Sequence, residues 1–333
     1  MDVHQTGTKA DDILSEVERA VIADQSVLDT IFTAILARGH VLLEDVPGTG
    51  KTLTARSFAD ALGLSFSRVQ FTPDLLPADV TGTYVFNERS GEFEFNEGPL
   101  FANVVLADEI NRASPKTQSA LLEAMEEQQV TVDGETWELP DPFFVLATQN
   151  PVEQGEGTFP LPEAQQDRFL VKTSLGYPDT DGGVEMLMRR GQRDEQQPEA
   201  GRAIEPGDLK EMQTVPETVD VSEDVSRYMV DVVEATRDDP RVTVGVSPRG
   251  CIRLYEMSRA WAALSGRSYV TPDDVKAVAH PALDHRLVLT PDARVNDVTK
   301  SDVLNDVLDQ TPVPRENRET ESNGGSQRGS HSD

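Results

Sequence analysis

Apolar residues recur at helical spacing through DDILSEVERAVIADQSVLDTIFTAILARG, with Ile13, Val17 and Val21 on one face and Val27, Ile31 and Ile35 on another. Positions three and four apart share a face, so the spacing predicts two helices. Residues 1–12 are polar and expected to be loose. HVLLE reads as a short buried strand, and LTARSFADALGL as a helix ending at Gly63. NVVLADE and FFVLATQN predict a second and a third buried strand. TYVFNERSGEFEFNEG alternates apolar and polar residues about a turn, which predicts a hairpin. QVTVDGETWEL predicts another, turning at Asp133-Gly134. Ser114 and Pro115 supply an N-cap and a first helical position for PKTQSALLEAMEEQ, and LPEAQQDRFL reads as a short helix.

After Gly176-Tyr177-Pro178 the buried strands stop, and the chain to about residue 310 reads as mostly helical. The expected organisation is a flexible N-terminus (1–12), an α/β core with two hairpin inserts (13–178), a helical domain (179–310) and a disordered tail (311–333). The tail has no apolar residue beyond Val313.

Composition narrows the function classes. No apolar run reaches the ~20 residues needed to span a bilayer, and the N-terminus lacks the apolar stretch of a secretory signal. One cysteine, Cys251, excludes an internal disulfide and a cysteine-rich metal site. A cytoplasmic location is expected. The net charge is −29, from 59 acidic against 30 basic residues, which repels nucleic-acid backbones. Seven of the bases are lysines. Excess acid with scarce lysine resembles proteins of a salt-rich cytoplasm, where repulsion between surface carboxylates is screened.

The candidate chemistry begins at LLEDVPGTGKT, a glycine loop between a strand and a helix. Gly48 and Gly50 allow backbone N–H groups to approach phosphate, Lys51 neutralises it, and Thr52 holds Mg²⁺. Asp45 stands where the G-x-x-x-x-G-K-[ST] pattern has its first glycine, and Asp tolerates the left-handed bend expected there. Asp108, next to last in NVVLADE, is suited to Mg²⁺, with Glu109 beside it as general base. Asn150 ends the third strand and is placed to orient water or touch the γ-phosphate. Arg168 is a candidate finger for a neighbouring subunit's site. Arg249 lies in the first turn of a helix, where a cation opposes the dipole unless an anion is present; a nucleotide phosphate is the anion expected. No guanine signature occurs, which favours ATP. Cys251, Leu254, Met257, Trp261 and Leu264 form one apolar stripe, so Cys251 belongs to the core. The five histidines show no metal-ligand spacing beyond His280 and His285.

VLLEDVPGTGKT, FTPDLLPADVTG, GPLFANVVLADEINRASPKTQSALLEAMEEQQVTVDG, FFVLATQNP, LPEAQQDRF and GVSPRG, in this order, resemble the MoxR ATPases of the AAA+ superfamily over about residues 13–305. The resemblance implies a P-loop NTPase core, a parallel sheet flanked by helices, with a smaller C-terminal helical lid. It implies ATP and Mg²⁺, a Walker A loop spanning Pro47, Gly48, Thr49, Gly50, Lys51, Thr52 and Leu53, and Walker B at Asp108 and Glu109. Sensor one is then Asn150, the arginine finger Arg168 and sensor two Arg249. VIADQ is similar to the adenine-contacting VIGQ, which assigns Val21 and Ile22 to the base. The two hairpins resemble those of the helix-two-insert branch, shared with magnesium-chelatase subunits. The family implies a homo-oligomeric ring, typically a hexamer, that remodels, assembles or matures protein complexes, often with a von Willebrand factor A domain partner. A chelatase-like subunit driving metal insertion and an ATP-dependent scaffold with little turnover are the rival readings.

Overall fold

The computed structural model describes residues 1–151, 158–192 and 198–314. The chain opens with α1 (Val3–Ala20) and α2 (Gln25–Leu36). Residues 3–12, expected to be loose, are instead the first turns of α1. A capping box starts the helix: Gln5 N–H donates to Asp2 Oδ1, and Asp2 N–H donates to Gln5 Oε1. Thr6, Gly7 and Ala10 extend the buried face of Ile13, Leu14 and Val17. Gly7 permits a close approach, because a Cβ there would lie 3.0 Å from Gly266 Cα.

Next come β1 (Val41–Glu44), α3 (Lys51–Leu62), β2 (Phe66–Gln70), α4 (Pro77–Thr81) and the hairpin β3 (Gly82–Asn87) to β4 (Glu92–Glu97). They are followed by β5 (Val104–Asp108), α5 (Pro115–Glu127), the hairpin β6 (Gln129–Val132) to β7 (Glu135–Glu138), β8 (Phe144–Gln149), α6 (Glu163–Gln166) and β9 (Val171–Thr173). Five strands form one parallel sheet in the order β2-β5-β8-β1-β9. The three apolar runs are its centre, and β2 and β9 add the edges.

Alternate residues of the central strands face opposite layers. Val41, Leu43, Val104, Leu106 and Leu146 pack with α1, α2 and α3 in one cluster, and Leu42, Val105, Ala107, Val145 and Ala147 pack with α5 in the other. Both hairpins form as expected. Asp133 and Gly134 turn the second with φ of 51° and 86°, the left-handed pair of a tight turn. The hairpins lean on each other, with Phe95 stacked on Trp137 at 4.5 Å between ring centres.

The second half contains α7 (Thr180–Gln192), α8 (Pro206–Met212), α9 (Glu223–Asp238), β10 (Val242–Val244), α10 (Pro248–Leu264), α11 (Pro272–Leu283), β11 (Val288–Leu289), α12 (Pro291–Val295) and α13 (Lys300–Gln310). Among the described residues its regular elements are helical apart from the short antiparallel pair β10–β11. α10 packs against α11, α1 and α2, so the two halves share a core. On α10, Leu254 and Met257 are buried, and Cys251, Trp261 and Leu264 pack partly buried against them; burial raises the Cys251 thiol pKa. Of the tail expected over 311–333, residues 315–333 lie outside the described residues. No helix among the described residues is long and apolar enough to cross a membrane.

Candidate nucleotide site

Parallel strands end their carbonyl rows on the same side, and loops leaving that edge converge. From the end of β1 the loop runs through Pro47 and Gly48 to Gly50, the N-cap of α3. Gly48 and Gly50 both have φ +91°, and a Cβ at either would meet nothing within 4 Å. Left-handed backbone, not crowding, is what demands glycine here. Gly50 offers no side-chain cap, so the first N–H groups of α3, at Lys51, Thr52 and Leu53, stay open to an anion. Lys51 Nζ donates to the carbonyls of Asp45 (3.0 Å) and Val46 (2.8 Å), folding its charge into the loop, where Thr49 Oγ1 also reaches Val46 O at 3.4 Å.

Asp45 departs from expectation. It is not among the residues of positive φ, so no left-handed bend explains it. Its buried carboxylate accepts from Ser174 Oγ (2.7 Å), Leu175 N (2.8 Å) and Gly176 N (3.0 Å), tying the start of the loop to the segment that leaves β9.

The same edge carries the acids. Asp108 Oδ1 accepts from Thr148 Oγ1 at 2.7 Å, and its Oδ2 is held by Arg68 at 2.7 and 3.2 Å. Glu109 follows in a left-handed conformation, φ 57°, uncommon for a residue with a side chain. Its N–H donates to Thr148 Oγ1 (2.9 Å), and its carboxylate accepts from Gln70 Nε2 (2.8 Å) and Arg112 (3.4 Å). Asn150 is buried just beyond β8. Thr148, Gln70 and Arg68 escaped the sequence reading. Arg68 and Gln70 sit on β2, where the two apolar residues of SFSRVQ are three apart and face opposite layers, so no period-two signal marks the strand.

These residues fit a polyphosphate with Mg²⁺. The loop is an open-sided N–H cradle with a lysine at hand, while Thr52 and Asp108 are hard oxygen donors of the kind Mg²⁺ takes beside phosphate and water. Val21 is buried at the end of α1, and Ile22 lies where a side chain at Gly182 of α7 would meet it.

Arg168 and Arg249 are elsewhere. Val41 pairs with Val171 at the start of β1 and β9, and Leu170 N–H bonds His40 O, so Arg168 belongs to the opposite edge of the sheet. There Glu126, in the last turn of α5, takes Arg168 on one oxygen (2.8 Å) and Arg249 on the other (3.1 Å). Asp167 lies 3.8 Å from Arg249. Two carboxylates of its own chain, Glu126 and Asp167, offset the helix dipole at Arg249. Arg38 and Arg253 line the same small cleft. Buried Arg286, its pKa lowered to about 10 by burial, donates to Asp167 (2.7 Å) and to Phe169 O (2.8 Å), fixing the turn that carries Arg168. Among the described residues no three His, Cys, Asp or Glu side chains group to hold a metal ion.

A parallel sheet with a glycine loop and paired acids at one edge, joined to a helical bundle, defines the core and lid of a AAA ATPase. Residues 40–171 match the ATPase family associated with various cellular activities (AAA), and residues 234–307 match the AAA lid domain. The chain is 45% identical to protein YeaC of Bacillus subtilis (strain 168), covering 94% of this chain and 96% of that one. It is 42% identical to chaperone MoxR1 of Mycobacterium tuberculosis, over 91% and 81% of the two. A crystal structure of a candidate ATPase from Cytophaga hutchinsonii superposes with a TM-score of 0.87 at 38% identity, over 94% and 97%. The chain belongs to the MoxR family of AAA ATPases.

Proposed function

We propose that the chain hydrolyses ATP within a ring of identical subunits, a hexamer in this reading, and uses the turnover to remodel or mature a partner protein complex in the cytoplasm. One observation carries it: the loop, Asp108, Glu109 and Asn150 lie at one edge of the sheet, and Arg168 and Arg249 at the other. The four residues of β1 alone separate the edges by roughly 13 Å, at ~3.3 Å per residue. A full set of charges therefore forms only between two copies.

In this mechanism the N–H groups of Gly48 to Leu53 bind the polyphosphate, and Lys51 leaves the carbonyls of Asp45 and Val46 to neutralise it. Thr52 and Asp108 would hold Mg²⁺, whose charge stabilises the phosphate oxygens when bound. Glu109, positioned by Gln70, takes a proton from the attacking water, and Asn150 orients that water. Val21 and Ile22 border the base. Arg168 and Arg249 exchange Glu126 for the phosphate of the adjoining subunit. The name chaperone, given to the M. tuberculosis relative, supports a protein client. So does the apolar end of the β3–β4 hairpin, where Phe86 is 51% and Phe93 68% exposed. A von Willebrand factor A domain protein is the partner class proposed.

Glu109→Gln should bind ATP and release no phosphate. Arg168→Ala and Lys51→Ala should each be inactive alone and recover part of the activity when mixed, since one supplies an intact loop and the other an intact finger. Absence of recovery in mixed rings overturns the shared site.

A further inference from the structure

A second cavity, of about 780 Å³, opens between β9, α2 and the helices α10, α11 and α13. None of residues 46–53, Asp108, Glu109 or Asn150 lines it. Its walls hold Lys172 and Lys300, two of the seven lysines in a chain of net charge −29.

Lys172 is paired with Glu44 at 2.9 Å. Lys300 is different. It is half-buried and, among the described residues, makes no hydrogen bond and has no carboxylate within 4.0 Å. It opens α13, where the helix dipole disfavours a cation. Burial, and then Lys172, lower its pKa. The acids within reach are engaged or exposed: Glu44 holds Lys172 and Gln149, Asp284 holds His280 (3.2 Å) and Ser301 (2.7 Å), and Glu163 is exposed. His280 also meets Asn305 at 3.0 Å, and its bond with Asp284 raises its pKa. With His280 protonated, the cavity carries one more positive than negative group.

A second observation is independent of the lysines. His285, 2% exposed, also lines the cavity, and its Nδ1 is buried without a hydrogen-bond partner. Its Nε2 lies 2.8 Å from Arg286 Nη1 and 3.2 Å from Phe169 O. Trp261, Val27 and Pro281 give the same cavity an apolar wall.

We propose that this cavity binds a small organic phosphate, with Lys300 and Lys172 on the phosphate and Trp261, Val27 and Pro281 against the organic part. The site is separate from the glycine loop and does not depend on whether the chain turns ATP over. An unpaired lysine supplies the donor, and a wall containing an indole suits a ring-bearing ligand.

Phenyl phosphate is the probe, titrated calorimetrically into the full chain carrying Lys51→Ala, which removes the loop as a competing phosphate site. One saturable site is expected, at least tenfold weaker when Lys300→Gln is added and weaker for inorganic phosphate, which lacks the ring. With Trp137→Phe in place, the remaining Trp261 fluorescence should change on binding. Absence of saturable binding to the Lys51→Ala chain overturns the proposal, as does equal affinity with Lys300→Gln in a chain of unchanged melting temperature. In the otherwise native chain, Lys300→Gln should leave ATP uptake unchanged; loss of uptake would make the cavity part of the nucleotide site and overturn its separateness.

Discussion

Asp45 accepts three hydrogen bonds from Ser174, Leu175 and Gly176, while its own carbonyl accepts from Lys51. One residue thus joins the loop lysine to the segment leading into the second half. Asp45→Ala strands two backbone donors, and donors left unmade inside a protein cost ~1–3 kcal/mol each. A loss of about 3 kcal/mol is expected in denaturant unfolding. Asp45→Asn keeps one acceptor oxygen and should lose less. The sequence marked Asp45 as a departure from the glycine pattern, but its reason was out of reach because its partners lie more than a hundred residues away. Local rules expose a loop's backbone needs and hide a carboxylate's distant ties. His40 is a similar case. Val145 N–H donates to its Nδ1 (3.1 Å), and its Nε2 faces Met125 O (2.9 Å), which fixes a neutral ring. Burial lowers its pKa to about 4 from 6.5. The unfolded chain therefore binds the extra proton between those values. The stability His40 contributes is complete above pH ~6.5 and is lost as the pH falls to about 4, roughly 3 kcal/mol across the window. Unfolding midpoints measured from pH 7 to 4 should fall accordingly, with a shallower fall in His40→Gln.

At the scale of elements, burial decided what could be read. β1, β5 and β8 are apolar on both faces because helices cover both sides of the sheet, and continuous apolar runs are legible. β2 and β9 are edges and half-exposed, and their polar residues conceal them. With β2 went Arg68 and Gln70, so Asp108 and Glu109 stood out in the sequence and the groups that hold them did not. The start of α1 was legible in principle: Asp2 and Gln5 have the spacing of a capping box, and Thr6, Gly7 and Ala10 continue the buried face without a large apolar side chain. Both hairpins were foreseen, but their contact was not. Phe95 on Trp137 joins the β3–β4 hairpin to the β6–β7 hairpin, which follows directly from the α5 turn holding Glu126. A stacked aromatic pair is worth ~0.5–1.5 kcal/mol beyond area. Trp137→Ala should therefore speed amide exchange in Gly82–Glu97 while leaving exchange in β5 and β8 unchanged. Equal protection of the hairpin in both proteins would mean the contact does not restrain it.

For the whole molecule, the net charge of −29 sets the response to salt. Repulsion among carboxylates opposes the compact state and is screened over ~8 Å at 0.15 M and ~3 Å at 1 M. The melting temperature should rise steadily from 0.1 to 2 M KCl; a flat or falling curve would show that repulsion is not what limits stability. The division into an α/β part and a helical part was legible from where buried strands cease. The shared packing of α10 on α1 and α2 was not, because it depends on faces that no local pattern pairs. The proposed ring has its own geometry. With the glycine loop facing one way and the Glu126-bound guanidiniums the other, a two-fold dimer sets like against like, and only a head-to-tail step matches them. An open row of such steps always ends with one orphan loop and one orphan pair of guanidiniums. Output per chain should therefore climb with assembly length and level off only at closure, so dilution would silence the protein well before it unfolds.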